Sequence, residues 1–290
     1  MSLEKSAHRV RRLVCETNKF GGLGQFLVSA SIANGRPFAL LAVRLSVFGS
    51  ARNQGKIDVE EKEMVYNARD MKKRSDKKNI AIFFNAAILV MTVFGYRLAF
   101  LFPQENRLPN EGGLGLRYFT TLSNFFAGAA AFIVLIYLIR NKQKESLPVG
   151  LARLKLMAAA AVMVTFLVVI GFLGPMYGFE KLYAGSNFFY HLVIPLTTMA
   201  DYCFVEIIEK NPFRDTAFAT IPVLLYGTVY LANIAINGVG EWPYGNDWYG
   251  FTSWGIPMTF VIFGLITLIS WIFAVIMRGI RQVIQKRKGR

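Results

Sequence analysis

Apolar and polar positions along this chain change their pattern near residue 80. From there on, six apolar runs follow one another, at 80–102, 118–139, 157–174, 188–208, 217–236 and 256–277. Each run is long enough to carry a helix, at ~1.5 Å per residue, across the ~30 Å hydrocarbon core of a bilayer. The pattern predicts an all-α fold: a polytopic membrane protein of six transmembrane helices over 80–278, followed by a basic cytoplasmic tail, 279–290. Residues 1–79 read differently. They hold eleven Lys or Arg before position 72, show no clear periodicity, and carry a mildly apolar patch broken by Asn34, Gly35, Arg36 and Pro37. Their longest uncharged run, 20–35, contains four glycines and is too short and too polar to span. It also lacks the compact apolar centre of a signal peptide. Glu60, Glu61, Lys62 and Glu63 are encoded by purines only and directly precede Met64, as a bacterial ribosome-binding site precedes its start codon. The expectation is that 1–79 is a disordered region or over-annotated sequence, with the natural start at Met64 or at Met71.

Charge then fixes an orientation. Eighteen Lys and Arg flank the runs on one side, within 72–78, 140–155, 210–214 and 278–290, while the other side offers only Arg107, Arg117 and Lys181. Arg153 and Lys155 are counted there as loop residues ahead of the third run. By the positive-inside rule both termini are cytoplasmic. The net charge of +15 would suggest nucleic acid in a soluble chain, but here it sits in tails and short loops beside apolar runs. The expected partner is the lipid bilayer, not nucleic acid. Two cysteines, Cys15 and Cys203, give neither a disulfide framework nor a CxxC site. The loop after the fifth run holds Trp242, Tyr244, Trp248, Tyr249 and Trp254, which suits an interfacial aromatic belt.

The fourth run is the unusual one, because it carries His191, Asp201 and Glu206. An ionisable group at mid-bilayer costs roughly 2.5 to 3.5 kcal/mol on insertion scales, so a mere anchor would not contain them. At 100° per residue, Asn187, His191, Pro195, Thr198, Asp201 and Tyr202 share about a third of the helix surface, which should face inward. With the orientation above, several polar side chains gather in the outer leaflet. They are Thr120, Ser123 and Asn124 of span two, Asn187 and His191 of span four, Asn233 and Asn237 of span five, and Arg97 near the end of span one. Asp201 lies ten residues, or ~15 Å, deeper than His191. It either pairs with a span-one group such as Asn85 or forms a separate protonatable site.

Counting removes most cofactor chemistry. The only histidines, His8 and His191, fall on opposite sides, so no bis-histidine haem is available. His191, Asp201 and Glu206 are spread over too many turns for a zinc site, and no metal or other cofactor is expected. GxSxG, HExxH, Walker A and GxGxxG motifs are absent. A hydroxyl and an imidazole in a half-dry pocket remain, the minimal parts of a nucleophile and its general base.

The segments RYFTTLSN (117–124) and NFFYHLVIPLTTMAD (187–201), followed by WPY (242–244), resemble the androgen-induced protein family. Its members are multipass membrane threonine hydrolases that cleave fatty acid esters of hydroxy fatty acids, with six-helix relatives in bacteria. The resemblance covers 80–278. It implies Thr120, after a basic, an aromatic and an apolar residue, as nucleophile, and His191, four residues after Asn187, as its base. Asp201 falls on the family's acidic residue ten positions past that histidine. Animal members have an acidic residue where this chain has Ser123, and Pro195 is shifted by one position. On this reading a lipid-like ester binds in an outer-leaflet pocket of a cell-membrane protein, with Asn124, Asn187, Asn233, Asn237 or Ser123 as oxyanion or substrate-binding groups. Two rival classes stand beside it: a proton-coupled transporter or permease working through Asp201, Glu206 and His191, and a non-catalytic membrane regulatory protein.

The topology has its own test. Reporter fusions after Lys144 and after Arg290 are expected to read cytoplasmic, and a fusion after Asn246 to read external; a cytoplasmic readout at Asn246 would invert every depth assignment above.

Overall fold

The computed structural model describes residues 51–100, 112–141, 146–205, 208, 212–241 and 245–288, with side chains of 51–65, 67–74, 99, 100, 112–114 and 288 excepted. Expectations for residues 1–50, for Glu206 and for the WPY segment lie outside the described residues. The chain divides into two compact units, Met1–Arg69 and Asp70–Arg290. Six helices are long and apolar enough to cross a membrane, and no strand occurs among the described residues. They are α1 (Ala51–Phe100), whose apolar part is Ser75–Leu98, α2 (Phe119–Arg140), α3 (Val149–Tyr177), α4 (Ser186–Val205), α5 (Ile221–Asn237), led in by the turn Asp215–Phe218, and α6 (Ile256–Lys288). The protein is thus an all-α multipass membrane protein. α1 extends back from the first apolar run to Ala51 and continues without a break through Met64 and Met71. The end of the bundle where α2, α4 and α6 begin is called the upper end below.

α3 is the central helix. It packs against α2, α4 and α6, and its run Ala158–Ala159–Ala160–Ala161 is buried on every side. Small side chains all round let several helices approach one axis, which in lipid is where packing energy comes from. The same device joins α1 to α2, where a Cβ on Gly128 would come within 2.7 Å of the Thr92 side chain.

The third span starts earlier than its hydropathy suggests, at Val149 instead of 157, so Arg153 and Lys155 are helical residues and not loop residues. An apolar run stops at the first charge, whereas a helix continues wherever tertiary partners accept that charge. Arg153 donates from Nε at 3.1 Å and from Nη2 at 2.9 Å to Asp215 Oδ1, and its guanidinium lies over the Phe218 ring. Lys155 is buried, and its Nζ donates to Asn85 Oδ1 of α1 at 2.8 Å and to Asp201 Oδ2 of α4. Asn85 in turn donates to the Ala81 carbonyl at 2.9 Å. Three helices therefore meet at one buried polar point. Removing Lys155 and Arg281, which is also buried, from the loop count leaves the basic excess on that side large.

Both spans that border the upper connection open into a wider turn just ahead of a proline. In α3 the π-helical turn Val169–Leu173 closes with the Gly174 N–H on the Val169 carbonyl, and Pro175 follows. In α4 the π-helical turn Phe189–Val193 closes with the Ile194 N–H on the Phe189 carbonyl, and Pro195 follows. Proline has no N–H and its ring crowds the carbonyl four residues back, so the helix relaxes by widening there. A third π-helical turn, Asp201–Val205, opens at the Lys155 partner, and Arg281 Nη1 of α6 donates to its Tyr202 carbonyl at 2.5 Å.

The buried pair yields a stability test. Lys155→Met and Asp201→Leu are each expected to cost about 3 to 5 kcal/mol, because each strands the opposite charge in an apolar interior. The double variant should be more stable than either single one, and denaturant-induced unfolding of purified protein in detergent measures all three.

Candidate functional site

The upper ends of α2 and α4 bring together most of the residues singled out above. α2 begins at Phe119, after the 3-10 turn Gly112–Arg117, and no side chain caps it from its own N-cap position. The Phe119 N–H instead donates to the Tyr249 hydroxyl at 2.9 Å. The Arg117 carbonyl accepts from the Tyr226 hydroxyl at 2.7 Å, and Trp248 Nε1 donates to that same hydroxyl at 3.0 Å. The Arg117 guanidinium lies over the rings of Tyr118 and Trp248, a contact each ring face favours. Residues of the α5–α6 loop thus hold the start of α2, and with it Thr120, in place. Trp248 and Tyr249 fold onto the protein instead of forming a lipid-facing belt; only Trp254, 64% exposed, keeps that disposition among the described tryptophans of the loop.

From Thr120 inward, α2 presents a polar face to α3 and α4. Ser123 Oγ donates to the Thr120 carbonyl at 3.0 Å and lies 3.2 Å from Thr165 Oγ1 of α3. Asn124 Nδ2 donates to the Thr120 carbonyl at 2.7 Å and to the Tyr190 carbonyl of α4 at 3.0 Å. The second bond has a local cause. Ile194, four residues after Tyr190, has given its N–H to Phe189, and Pro195, five residues after, has none. The widened turn therefore orphans the Tyr190 carbonyl, and a side chain from α2 replaces the missing donor. One amide nitrogen now ties Thr120 to the peptide that precedes His191.

His191 is buried, and its Nδ1 lies 2.7 Å from the Leu182 carbonyl. A carbonyl can only accept, so Nδ1 carries the proton and Nε2 keeps the basic lone pair. Leu182 ends the short turn Phe179–Leu182 between α3 and α4. Gly178 and Gly185 bracket that connection at φ 86° and 55°, a conformation that side chains disfavour. Gly174 leaves the space filled by the Phe179 ring, which a Cβ would approach to 2.1 Å. Among the described residues no hydrogen bond joins Thr120 to His191, and the Thr120 side chain makes none.

The other sequence candidates are placed as follows. Asn187 is half-buried one turn before His191, with no side-chain hydrogen bond among the described residues, and Arg97 is exposed near the end of α1. Asn233 and Asn237 belong to a different network: Asn233 Nδ2 donates to Asn246 Oδ1 at 3.0 Å, and Asn237 Nδ2 to Asn233 Oδ1 at 2.9 Å. They tie α5 to its own loop and make no hydrogen bond to His191. Asp201 lies well below, bound to Lys155. Thr198, one turn above it, has a buried hydroxyl with no hydrogen-bond partner, as do Asn124 Oδ1 and the Tyr190 hydroxyl in the upper cluster. Among the described residues no three His, Cys, Asp or Glu side chains gather as metal ligands.

Sequence reasoning missed Lys155 and Tyr190. For Lys155 the available signal was its position inside LARLKLMAAAA, where helical spacing continues across the charge. For Tyr190 the signal was Pro195, whose missing N–H forecasts a freed carbonyl one turn earlier. Comparison of the chain with protein-family models, with curated proteins and with solved structures finds no match.

Asp247 anchors the loop that holds Thr120. Its carboxylate accepts from the Phe251 and Thr252 N–H groups at 2.9 and 2.8 Å and from the hydroxyls of Tyr230 and Thr252. Burial pushes this carboxyl up, but the hydrogen bonds from Thr252, Tyr230 and Phe251 outweigh it and hold the group below its ordinary value of 3.8. Burial also raises the Tyr249 phenol to about 12, so it stays a neutral partner for Phe119 at ordinary pH. With a depressed folded value, the Asp247 contribution is complete above about pH 4 and is lost as pH falls further, through that lower value. Asp247→Asn is expected to cost about 1 to 3 kcal/mol at neutral pH and to flatten this acid limb. Tryptophan-monitored melting between pH 2.5 and 8 checks both.

Proposed function

We propose that this membrane protein hydrolyses lipid-like esters at the upper end of its bundle, with Thr120 as nucleophile and His191 as general base. The observation that carries the reading is the Asn124 amide bonded at once to the Thr120 and Tyr190 carbonyls, which holds the hydroxyl-bearing turn of α2 against the turn that presents the imidazole. The Leu182 carbonyl supports it by keeping Nε2 as the basic nitrogen. In the proposed reaction Thr120 Oγ attacks the ester carbonyl while its proton passes to His191 Nε2. The departing alkoxide takes that proton as the acyl–oxygen bond breaks. Water, deprotonated by the same nitrogen, then releases the acid and restores the threonine.

The amide candidates narrow under this reading. Asn124 has committed its nitrogen to two carbonyls, Ser123 is held by Thr120 and Thr165, and Asn233 and Asn237 serve the loop. Asn187, one turn before the histidine, is the amide left to stabilise an oxyanion, a role worth about 3 kcal/mol where measured. A proton relay gains nothing from the geometry, because Asp201 is engaged by Lys155 and His191 by Leu182. The resemblance to the androgen-induced protein family leads to the same two residues. The basic-residue distribution supports both termini inside and the upper end outside.

The test uses purified protein, a fluorophosphonate probe and a fluorogenic long-chain acyl ester. Thr120→Ala and His191→Ala should each lower ester hydrolysis by about 10³-fold or more and abolish labelling, and the double variant should be little worse than either. Ser123→Ala should keep most activity. Wild-type turnover in Thr120→Ala, or loss of activity in Ser123→Ala alone, overturns the nucleophile assignment.

A further inference from the structure

Cross-helix hydrogen bonds give the bundle a common level from which other residues can be measured. Asn85, Lys155 and Asp201 meet at one height, and Arg281 joins them through the Tyr202 carbonyl. At ~1.5 Å per helical residue, Lys77 lies ~12 Å below Asn85, and Lys286 and Arg287 lie ~8 to 9 Å below Arg281. Lys78 Nζ donates to the Asn141 carbonyl at 2.7 Å, which sets Arg140 at the height of Lys77. Arg214 precedes Asp215, the partner of Arg153, and so enters the same rim from the foot of α5. Four parts of the chain thus bring five cations to the lower end of the bundle.

All five are exposed, and none of them makes a hydrogen bond or ion pair among the described residues. The acids at that end do not balance them. Asp201 and Asp215 are spent on Lys155 and Arg153, which leaves Asp76 among the described residues. The upper end is different: there Arg97, Arg117 and Lys181 stand against Glu180, Glu241 and Asp247. The surface bordering the lower rim is apolar, with Phe83 of α1, Ile139 of α2, Phe213 before α5 and Val283 of α6 each more than half exposed. The cations therefore sit where exposed apolar surface ends, which is the level of lipid headgroups. Like charges gathered on one rim repel, and with so few acids of the protein to meet them their counter-charge comes from outside. The phosphate of a zwitterionic lipid is offset by its own ammonium, whereas an anionic headgroup keeps its charge for the protein.

We propose that the lower rim of the bundle is a binding surface for anionic phospholipid, with Lys77, Arg140, Arg214, Lys286 and Arg287 holding the headgroups and the bordering apolar side chains receiving the acyl chains. Bound anionic lipid relieves the repulsion among the five cations and so stabilises the folded bundle. The surface lies at the opposite end from Thr120 and His191 and does not depend on their chemistry.

The experiment uses the purified full-length chain in a nonionic detergent and follows its Tm by tryptophan fluorescence. Phosphatidylglycerol or phosphatidylcholine with the same acyl chains is added at equal mole fraction. Phosphatidylglycerol should raise the Tm more than phosphatidylcholine, and the difference should vanish as salt goes from about 0.1 to 1 M, where the screening length falls from ~10 to ~3 Å. A variant carrying Lys77→Gln, Arg140→Gln, Arg214→Gln, Lys286→Gln and Arg287→Gln should need about tenfold more phosphatidylglycerol for half the effect. Without lipid it should melt no lower than wild type, because the side chains replaced make no bonds. Arg97→Gln with Lys181→Gln, at the upper end, should keep the wild-type response. Equal Tm rises from the two lipids, a difference that persists at 1 M salt, or a full phosphatidylglycerol response in the five-site variant overturns the proposal. An equal rise from inorganic phosphate in lipid-free detergent also overturns it, since the rim would then take a small anion and not a lipid. The lipid comparison and the salt series on wild type decide the matter even where the five-site variant fails to fold.

Discussion

The ion pair between Lys155 and Asp201 is the interaction on which the arrangement of this bundle depends. Packing around α3 is built from alanines, and small smooth faces give close approach without deciding which register two helices adopt. A charge pair decides it. Sliding α4 by one turn against α3 would leave a lysine and an aspartate each facing apolar surface, a change of several kcal/mol in a chain whose whole stability is of order 10 kcal/mol. Asn85 extends the same constraint to α1, since its carbonyl oxygen accepts the lysine while its nitrogen is spent on the Ala81 carbonyl. The use of one buried polar contact to fix register is best attested in coiled coils, and the setting here is comparable.

Proline supplies the second constraint, and it acts through what it removes. Wide turns ahead of Pro175 and Pro195 shape the two helices on either side of the upper connection. In α4 the cost is an orphaned Tyr190 carbonyl, and the replacement donor comes from α2. A lower turn repeats the logic, with Arg281 of α6 reaching the Tyr202 carbonyl. A local gap in the helical hydrogen-bond ladder thereby becomes a tertiary contact. The same contact is what sets Thr120 beside the turn carrying His191, so a fold-level event and the candidate chemistry share one hydrogen bond.

Much of this was legible in the chain. Apolar runs gave six spans, and the polar arc of α4 does face inward: His191, Pro195, Thr198, Asp201 and Tyr202 are all buried. Hydropathy failed at Lys155 because a run of apolar residues ends at a charge while the helix does not. The partner of Asp201 could not be read from α4 alone, since it sits on α3 and is selected by the packing of both. Depth groups Asn233 and Asn237 with the His191 cluster, yet depth says nothing of azimuth: Asn233 donates to Asn246 of the adjoining loop, and Asn237 donates to Asn233. Tyr190 looked like any aromatic in a span. Its unspent hydroxyl is a property of Gly95 and Phe125 on other helices, which no local pattern encodes.

The two polar centres differ in a way that separates their roles. In the lower one, charge meets charge, and the ion pair is itself the source of its rigidity, although the Thr198 hydroxyl one turn above Asp201 also lacks a partner. In the upper one, fixed side chains keep unspent buried groups: the Tyr190 hydroxyl and Asn124 Oδ1. Leaving a buried donor or acceptor unmade costs about 1 to 3 kcal/mol each, and packing alone gives no return on it. Both centres lie on α4, ten residues apart at Asp201 and His191. A helix clamped at its lower end by an ion pair can hold an incompletely bonded turn at its upper end without drifting, because the register that positions the turn is set elsewhere. The rigid centre therefore gives the incomplete one its geometry.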